Sequence, residues 1–183
     1  PTETVYALAA RADSDAAIDK IYAAKQRDVK KALTLMASSF PLIAANFLPD
    51  PRLEKLIARF SPGPITVIAR CKKELPSLSK KVNLANETWL GVRIPDHEWA
   101  LELLSRLGFP IVATSCNLSG SPAATSVMQL DRMITNQVAL VVDGGDAQHK
   151  TGSTIVKLNE PIELVRQGPV SLEQIILWLD SSD

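Results

Sequence analysis

Apolar residues recur along this chain with two periods, one near 3.6 and one near 2, and the two alternate over its whole length. That alternation predicts a mixed α/β domain. Asp13, Ser14 and Asp15 are capping residues ahead of Ala16, Ala17, Ile18, Ile21 and Tyr22, whose spacing buries one face of a helix. Ala32 to Ala37 reads as a short strand, followed by helical stretches at Phe40 to Phe47 and Arg52 to Phe60. The run Ser61, Pro62, Gly63, Pro64 stops the second, and a strand follows at Ile65 to Arg70. A further strand is predicted at Trp89 to Ile94. Asp96 opens an amphipathic helix from Glu98 to Leu107 that ends at Gly108. Ile111 to Thr114 reads as a buried strand, and the polar, turn-rich Ser115 to Pro122 as a loop at its carboxyl end, the edge of an α/β sheet where ligands commonly sit. Leu130 to Ile134 predicts a short helix, and Val138 to Val142, Ser153 to Leu158 and Ile162 to Val165 predict strands. Ser171 with Gln174 forms a capping box for a last helix, Leu172 to Leu179.

No linker or repeat interrupts this pattern, and 183 residues at 46% hydrophobic content suit one domain with its own core. The domain is therefore expected to span 1–183. The sequence opens at Pro1 within a motif-bearing segment, so native residues are expected upstream. Twenty basic and twenty acidic residues cancel, which gives no overall field to gather nucleic acid or an anionic membrane, although a local basic pocket remains open. Cys71 and Cys116 are far apart and form neither a disulfide framework nor a zinc motif. No apolar run approaches the roughly 20 residues of a membrane span, and no signal peptide opens the chain, so no membrane role and a cytoplasmic location are expected.

The familiar catalytic signatures are missing. There is no GxxxxGK[ST] loop, no GxGxxG fingerprint and no nucleophile elbow beside His97 or His149. His97 reads as a helix-start residue and His149 as a solvated loop residue. What remains is a set of polar side chains at element edges. Lys25 and Arg27 end the first helix, where they could complement the helix dipole or hold an anion; position alone leaves both readings open, and surface charges there would be removable without unfolding. Ser115 and Asn117 follow a buried strand and offer donors of the kind that cradle phosphate, or an ordinary turn. Arg93 within an apolar strand and Arg166 at a strand end each call for a carboxylate or phosphate partner. Ser153 and Thr154 could be plain strand residues.

The order of several segments decides among these readings. Pro1 to Leu8 (PTETVYAL), Lys25-Gln26-Arg27, Ser61 to Thr66 (SPGPIT), Val92 to His97 (VRIPDH), Thr114 to Gly120 (TSCNLSG), Asp143-Gly144-Gly145, Ser153 to Val156 and Arg166-Gln167-Gly168 resemble, in order, the motifs of the Sua5/YrdC/YciO family. The resemblance implies a single YrdC-like domain, a twisted mixed β-sheet flanked by helices with a concave ligand cavity. It implies synthesis of threonylcarbamoyl-adenylate and pyrophosphate from L-threonine, bicarbonate and ATP, for threonylcarbamoyladenosine in tRNA. By the same resemblance, Lys25 and Arg27 would be catalytic; Lys25, Arg27, Ser115, Asn117 and Arg166 would bind ATP; Thr2, Arg93 and Ser153 would bind threonine. Mg²⁺ would travel with ATP with no protein metal site of its own, and the product would pass to a tRNA threonylcarbamoyl transferase. Departures from the family pattern are Ala7 for glycine, Asp28 and Ala32 for prolines, Gly152 for a glutamate and Ala123 for a serine; the last two bear on ligand affinity. Three other readings share the fold: a YciO-like paralogue, favoured by Ala7 and the run Leu33 to Met36 but opposed by the intact Lys25, Arg27, Ser115, Asn117 set; a module contacting tRNA or double-stranded RNA, which would want a basic face and more than 5% aromatic residues; and a hydrogenase-maturation carbamoyl-transfer domain, whose companion modules do not appear.

Overall fold

The computed structural model describes residues 1–29, 31–83 and 88–181. Seven strands form one mixed sheet: β1 (Ala7–Arg11), β2 (Thr34–Met36), β3 (Ile65–Arg70), β4 (Trp89–Arg93), β5 (Ile111–Ser115), β6 (Thr154–Lys157) and β7 (Glu163–Arg166), in the spatial order β1-β5-β2-β4-β3-β6-β7. The pairs β2/β4 and β3/β6 are parallel, and the others are antiparallel. Helices α1 (Asp15–Lys25), α2 (Pro51–Phe60), α3 (Glu98–Leu107), the one-turn α4 (Arg132–Thr135) and α5 (Leu172–Asp180) complete it. Among these helices none is long and apolar enough to cross a membrane.

Burial follows position in the sheet. β3 and β4, in the interior, are apolar almost throughout and lose nearly all contact with water, whereas β7, at an edge, is exposed at every residue. The main core joins Leu35, Ile65, Val67, Leu90, Val92, Val112 and Val156 from the sheet to Ile18, Ile21, Leu53, Leu56 and Ile175 from α1, α2 and α5.

Helix ends match the cap chemistry. Ser14 Oγ accepts from the Ala17 amide at the start of α1, and Ser171 with Gln174 closes a reciprocal capping box on α5. His97, not Asp96, caps α3, its Nδ1 accepting from the Ala100 amide at 3.4 Å, and Gly108 takes the left-handed conformation that ends the helix.

Several expected elements are corrected. Phe40 to Phe47 is two separate 3₁₀ turns, Phe40–Leu42 and Ala44–Asn46, because Pro41 withholds an amide and Ile43 leaves helical geometry with φ −126°. Val138 to Val142 forms no strand: it joins no sheet neighbour, and Leu140 and Val141 stand 76% and 41% exposed. Its continuous apolar run lacks a ladder partner among the described residues. In the other direction, β1 carries an alanine-rich sequence of helical propensity, yet pairs residue by residue with β5, from Ala7 opposite Ser115 to Arg11 opposite Ile111.

Candidate functional site

A cavity of about 260 Å³ opens on one side of the sheet, and its walls come from all seven strands and the loops that leave them. Thr2, Arg27, Arg93, Ser115, Ser153 and Arg166 all line it, although they are scattered from the first residues to the last hairpin of the sheet. Thr66, Trp89, Ile155 and Val165 supply the remaining floor and an apolar flank. The lining thus holds three guanidinium groups and no acidic side chain among the described residues. Such a cavity favours an anionic ligand.

Each arginine is placed by a different device. At the end of α1, Lys25 lies on the helix's buried face, and Gln26 then adopts the left-handed conformation with φ 48°, which ends the helix and leaves Arg27 facing the cavity. Arg27 then steadies its own loop, Nε donating to the Lys31 carbonyl and Nη2 to the Ala32 carbonyl. Partial burial lowers its pKa below the ordinary arginine value.

Arg93, at the end of β4, is 7% exposed and pairs with Glu3, whose Oε1 lies 2.8 Å from Nη2; the same nitrogen donates to Thr4 Oγ1 at 2.7 Å. Glu3 Oε2 and Arg93 Nε have no hydrogen-bond partner among the described residues. The pairing meets the need for a carboxylate with an internal one, Glu3, which residue spacing did not single out. Thr2 stays close by, its hydroxyl engaged with Thr4 Oγ1 and the Val5 carbonyl.

On the opposite wall, Ser153 is buried and shares a 2.8 Å hydrogen bond with Thr66, so the Ser61 to Thr66 turn and the Ser153 strand start act together. Arg166 reaches over from β7, Nε donating to the Ser153 carbonyl at 2.9 Å and Nη2 to its hydroxyl at 3.1 Å. Partial burial, and then the charge of Arg93, lower the Arg166 pKa. Two guanidiniums that repel each other across a cavity are a receptor for negative charge.

Lys25 and Asn117 are not on the cavity wall. Lys25 is 1% exposed beneath it, with Nζ donating to the Ser115 carbonyl and, at 2.6 and 3.2 Å, to the carbonyl and side-chain oxygens of Asn117. Burial, and secondarily Arg27, bring its pKa from 10.5 to about 8. The expectation of a removable helix-end charge therefore fails for Lys25, because it lies on the buried face of α1 with Ile18, Ile21 and Tyr22. Asn117 Oδ1 also accepts from Ser115 Oγ at 2.5 Å, and Nδ2 donates to the carbonyls of Leu118 and Ser121 at 2.9 and 2.6 Å. These contacts close the Ser115 to Ser121 loop around one amide. Asn117→Asp would set a carboxylate oxygen against two carbonyls, so we expect it to cost roughly 1–3 kcal/mol and to lower the midpoint of thermal unfolding more than Asn117→Ala does; the reverse ranking would contradict this geometry.

His97 and His149 stay outside the cavity, as helix cap and exposed loop residue, and Cys71 and Cys116 are buried and not joined by a disulfide. No group of His, Cys, Asp and Glu among the described residues is arranged to hold a metal ion.

Comparison with known proteins agrees with this architecture. The Sua5/YciO/YrdC family model, described as "Telomere recombination", matches residues 1–168. A threonylcarbamoyl-AMP synthase of Bacillus subtilis is 37% identical over 177 residues, covering 96% of this chain and 50% of that protein. The crystal structure of Pyrococcus abyssi Sua5 complexed with L-threonine superimposes with a TM-score of 0.88 at 32% identity, covering 98% of this chain and 52% of that one. Escherichia coli YciO superimposes with a TM-score of 0.75 at 25% identity, covering 96% and 84%. The chain spans about half the length of the Bacillus and Pyrococcus relatives. Its whole sheet, its ordered motifs and the matched residues together place it: the chain belongs to the Sua5/YciO/YrdC family.

Proposed function

We propose that this domain is a transferase that makes threonylcarbamoyl-adenylate and pyrophosphate from L-threonine, bicarbonate and ATP, in the cytoplasm, for delivery to a tRNA threonylcarbamoyl transferase. The observation that carries the reading is the convergence of Arg27, Arg93 and Arg166 with Thr2, Ser115 and Ser153 on one cavity without an acidic lining residue. ATP, bicarbonate and the carboxylate of threonine all carry negative charge, and the similar Pyrococcus protein was crystallised with L-threonine.

In this reaction the threonine amine attacks bicarbonate, forming a carbon–nitrogen bond and releasing water to leave a carbamate. A carbamate oxygen then attacks the α-phosphorus of ATP, and the bond to the β-phosphate oxygen breaks to give pyrophosphate. Neither step needs a covalent bond to protein. The chain's own work is to hold the two reactants in line and to offset the charge that gathers on phosphate oxygens. Arg27, Arg166 and the Ser115 hydroxyl are assigned to the nucleotide, with Lys25 and Asn117 shaping the loop that presents Ser115. Thr2, Arg93 and Ser153 are assigned to threonine, Arg93 facing its carboxylate. The lining residues are cationic or neutral and make a poor cage for a hard divalent cation. Mg²⁺ is accordingly assigned to the nucleotide's phosphates, where it would screen their charge.

The test is to incubate the protein with ATP, labelled bicarbonate and L-threonine and to measure pyrophosphate and the carbamoyl-adenylate. Serine in place of threonine removes one methyl contact, worth about 1–3 kcal/mol, so we expect kcat/KM to fall about 10- to 200-fold. Equal turnover of the two amino acids would count against a threonine pocket. Pyrophosphate release with neither would favour the YciO-like reading, which the similarity to that structure also serves.

A further inference from the structure

Arg166 leans on an empty place. A methyl group on Gly152 would lie 2.6 Å from Arg166 Cζ and 2.7 and 2.9 Å from Nη2 and Nη1, well inside any tolerable contact. The guanidinium thus occupies the space that a side chain at residue 152 would fill. From there Nε and Nη2 grip the carbonyl and hydroxyl of Ser153, while Nη1 bonds no group among the described residues.

We propose that Gly152 is a positioning residue for the anion site: its missing side chain lets the Arg166 guanidinium lie flat against the main chain and face the cavity. This rests on the nucleotide reading given above and deepens it, because it names what fixes the orientation of one of the three cationic groups. The fold offers the contrast that separates positioning from plain structure. Gly168, two residues beyond Arg166, is also crowded, but a methyl there would meet the Thr154 amide nitrogen at 2.3 Å and the Gly152 carbonyl oxygen at 2.5 Å. Those atoms are main chain, in a turn pinned by Thr154 Oγ1, which accepts from the amides of Gly168 and Val170 and donates to the Val170 carbonyl. A side chain at 168 must break the turn. At 152 the three atoms nearest a side chain all belong to the far end of a flexible arginine, which can swing outward into solvent. Gly152 also lacks the positive φ that would strain a larger residue.

The displacement has a defined chemical consequence. Once moved, Arg166 loses both bonds to Ser153, and Arg27 and Arg93 are left as the guanidiniums of the cavity, so it holds an anion less tightly. Ser153 keeps its bond to Thr66 and the sheet is undisturbed.

The experiment titrates ATP into the wild type, Gly152→Ala, Arg166→Ala and the double variant, with thermal unfolding of each. Gly152→Ala is expected to weaken ATP binding about tenfold, a loss equal to about one charge-assisted hydrogen bond, while its unfolding midpoint stays within about 3 °C of wild type, the shift that 1 kcal/mol gives at this size. In the Arg166→Ala background the same change should have no further effect on affinity, since both act through one guanidinium. Additive losses, or a Gly152→Ala variant that binds ATP like the wild type, would overturn the proposal. If the wild type itself binds no ATP, the nucleotide reading fails first, and Gly152→Ala with unchanged affinity for inorganic pyrophosphate would then overturn the positioning role as well.

Discussion

Glu3→Ala is expected to destabilise the protein by roughly 3–5 kcal/mol, because it strands a buried guanidinium without its counter-charge. Arg93 is 7% exposed and Glu3 3%, with Arg166 close enough to add repulsion. The ion pair itself is imperfect: Glu3 Oε2 and Arg93 Nε lack hydrogen-bond partners among the described residues, so the desolvation of both charges is only partly offset. Removing one member should therefore hurt far more than removing both. Denaturant unfolding of Glu3→Ala, Arg93→Met and the double variant checks this: the double should recover a large share of the summed losses. Single variants that each cost under about 1 kcal/mol, the range of an exposed pair, would show that water reaches this pair in solution. Substrate measurements on Glu3→Gln would further separate stability from function, since the amide keeps the shape and removes only the charge that neutralises Arg93.

Lys25→Ala should be nearly as damaging, at roughly 3–5 kcal/mol, since it opens a cavity under the sheet and withdraws the donor from three oxygens of the Ser115 to Asn117 segment. A chain of this size would melt about 10 °C lower. The same residue gives a pH signature with a definite sign. Its folded pKa, about 8, lies below the 10.5 of an ordinary lysine, so between those values the unfolded chain holds a proton that the folded chain has released. Raising pH through that window favours the state that holds fewer protons, here the folded one, and stability from this group rises. Relative to Lys25→Met, the wild type should therefore gain stability from pH 8 toward 10.5. A difference between the two that is flat across the window, or that shrinks, would mean that the ammonium is not desolvated as the geometry implies. Arg27→Ala serves as a control: among the described residues it donates to the loop carbonyls of Lys31 and Ala32, and its loss should fall on ligand binding more than on unfolding.

These two expectations also show how far residue order alone could reach. Local signals were sufficient where a local cause decides the outcome: the Ser14 and Ser171 caps, the Gly108 stop, the bounds of α3 and of β3, and the turn-rich loop after β5 follow from side-chain hydrogen bonds and backbone propensities within a few residues. The motif order was enough to name the family, and it singled out Thr2, Arg27, Arg93, Ser115, Ser153 and Arg166, which the folded chain brings to one cavity. Pairing across distance was not legible. Ala7–Arg11 has helix-forming residues and becomes a strand because β5 offers it a ladder, while Val138 to Val142 has strand-like residues and finds none. Spacing does place Lys25 on the buried face of α1 with Ile18, Ile21 and Tyr22, but it could not show the left-handed turn at Gln26 that carries Arg27 to the cavity. Glu3 as the counter-ion of Arg93, Thr66 as the partner of Ser153, and Gly152 as the floor under Arg166 join residues tens of positions apart or depend on what stands above an absent side chain. Charge balance and steric room are properties of neighbours in space, and only the packed sheet determines who those neighbours are.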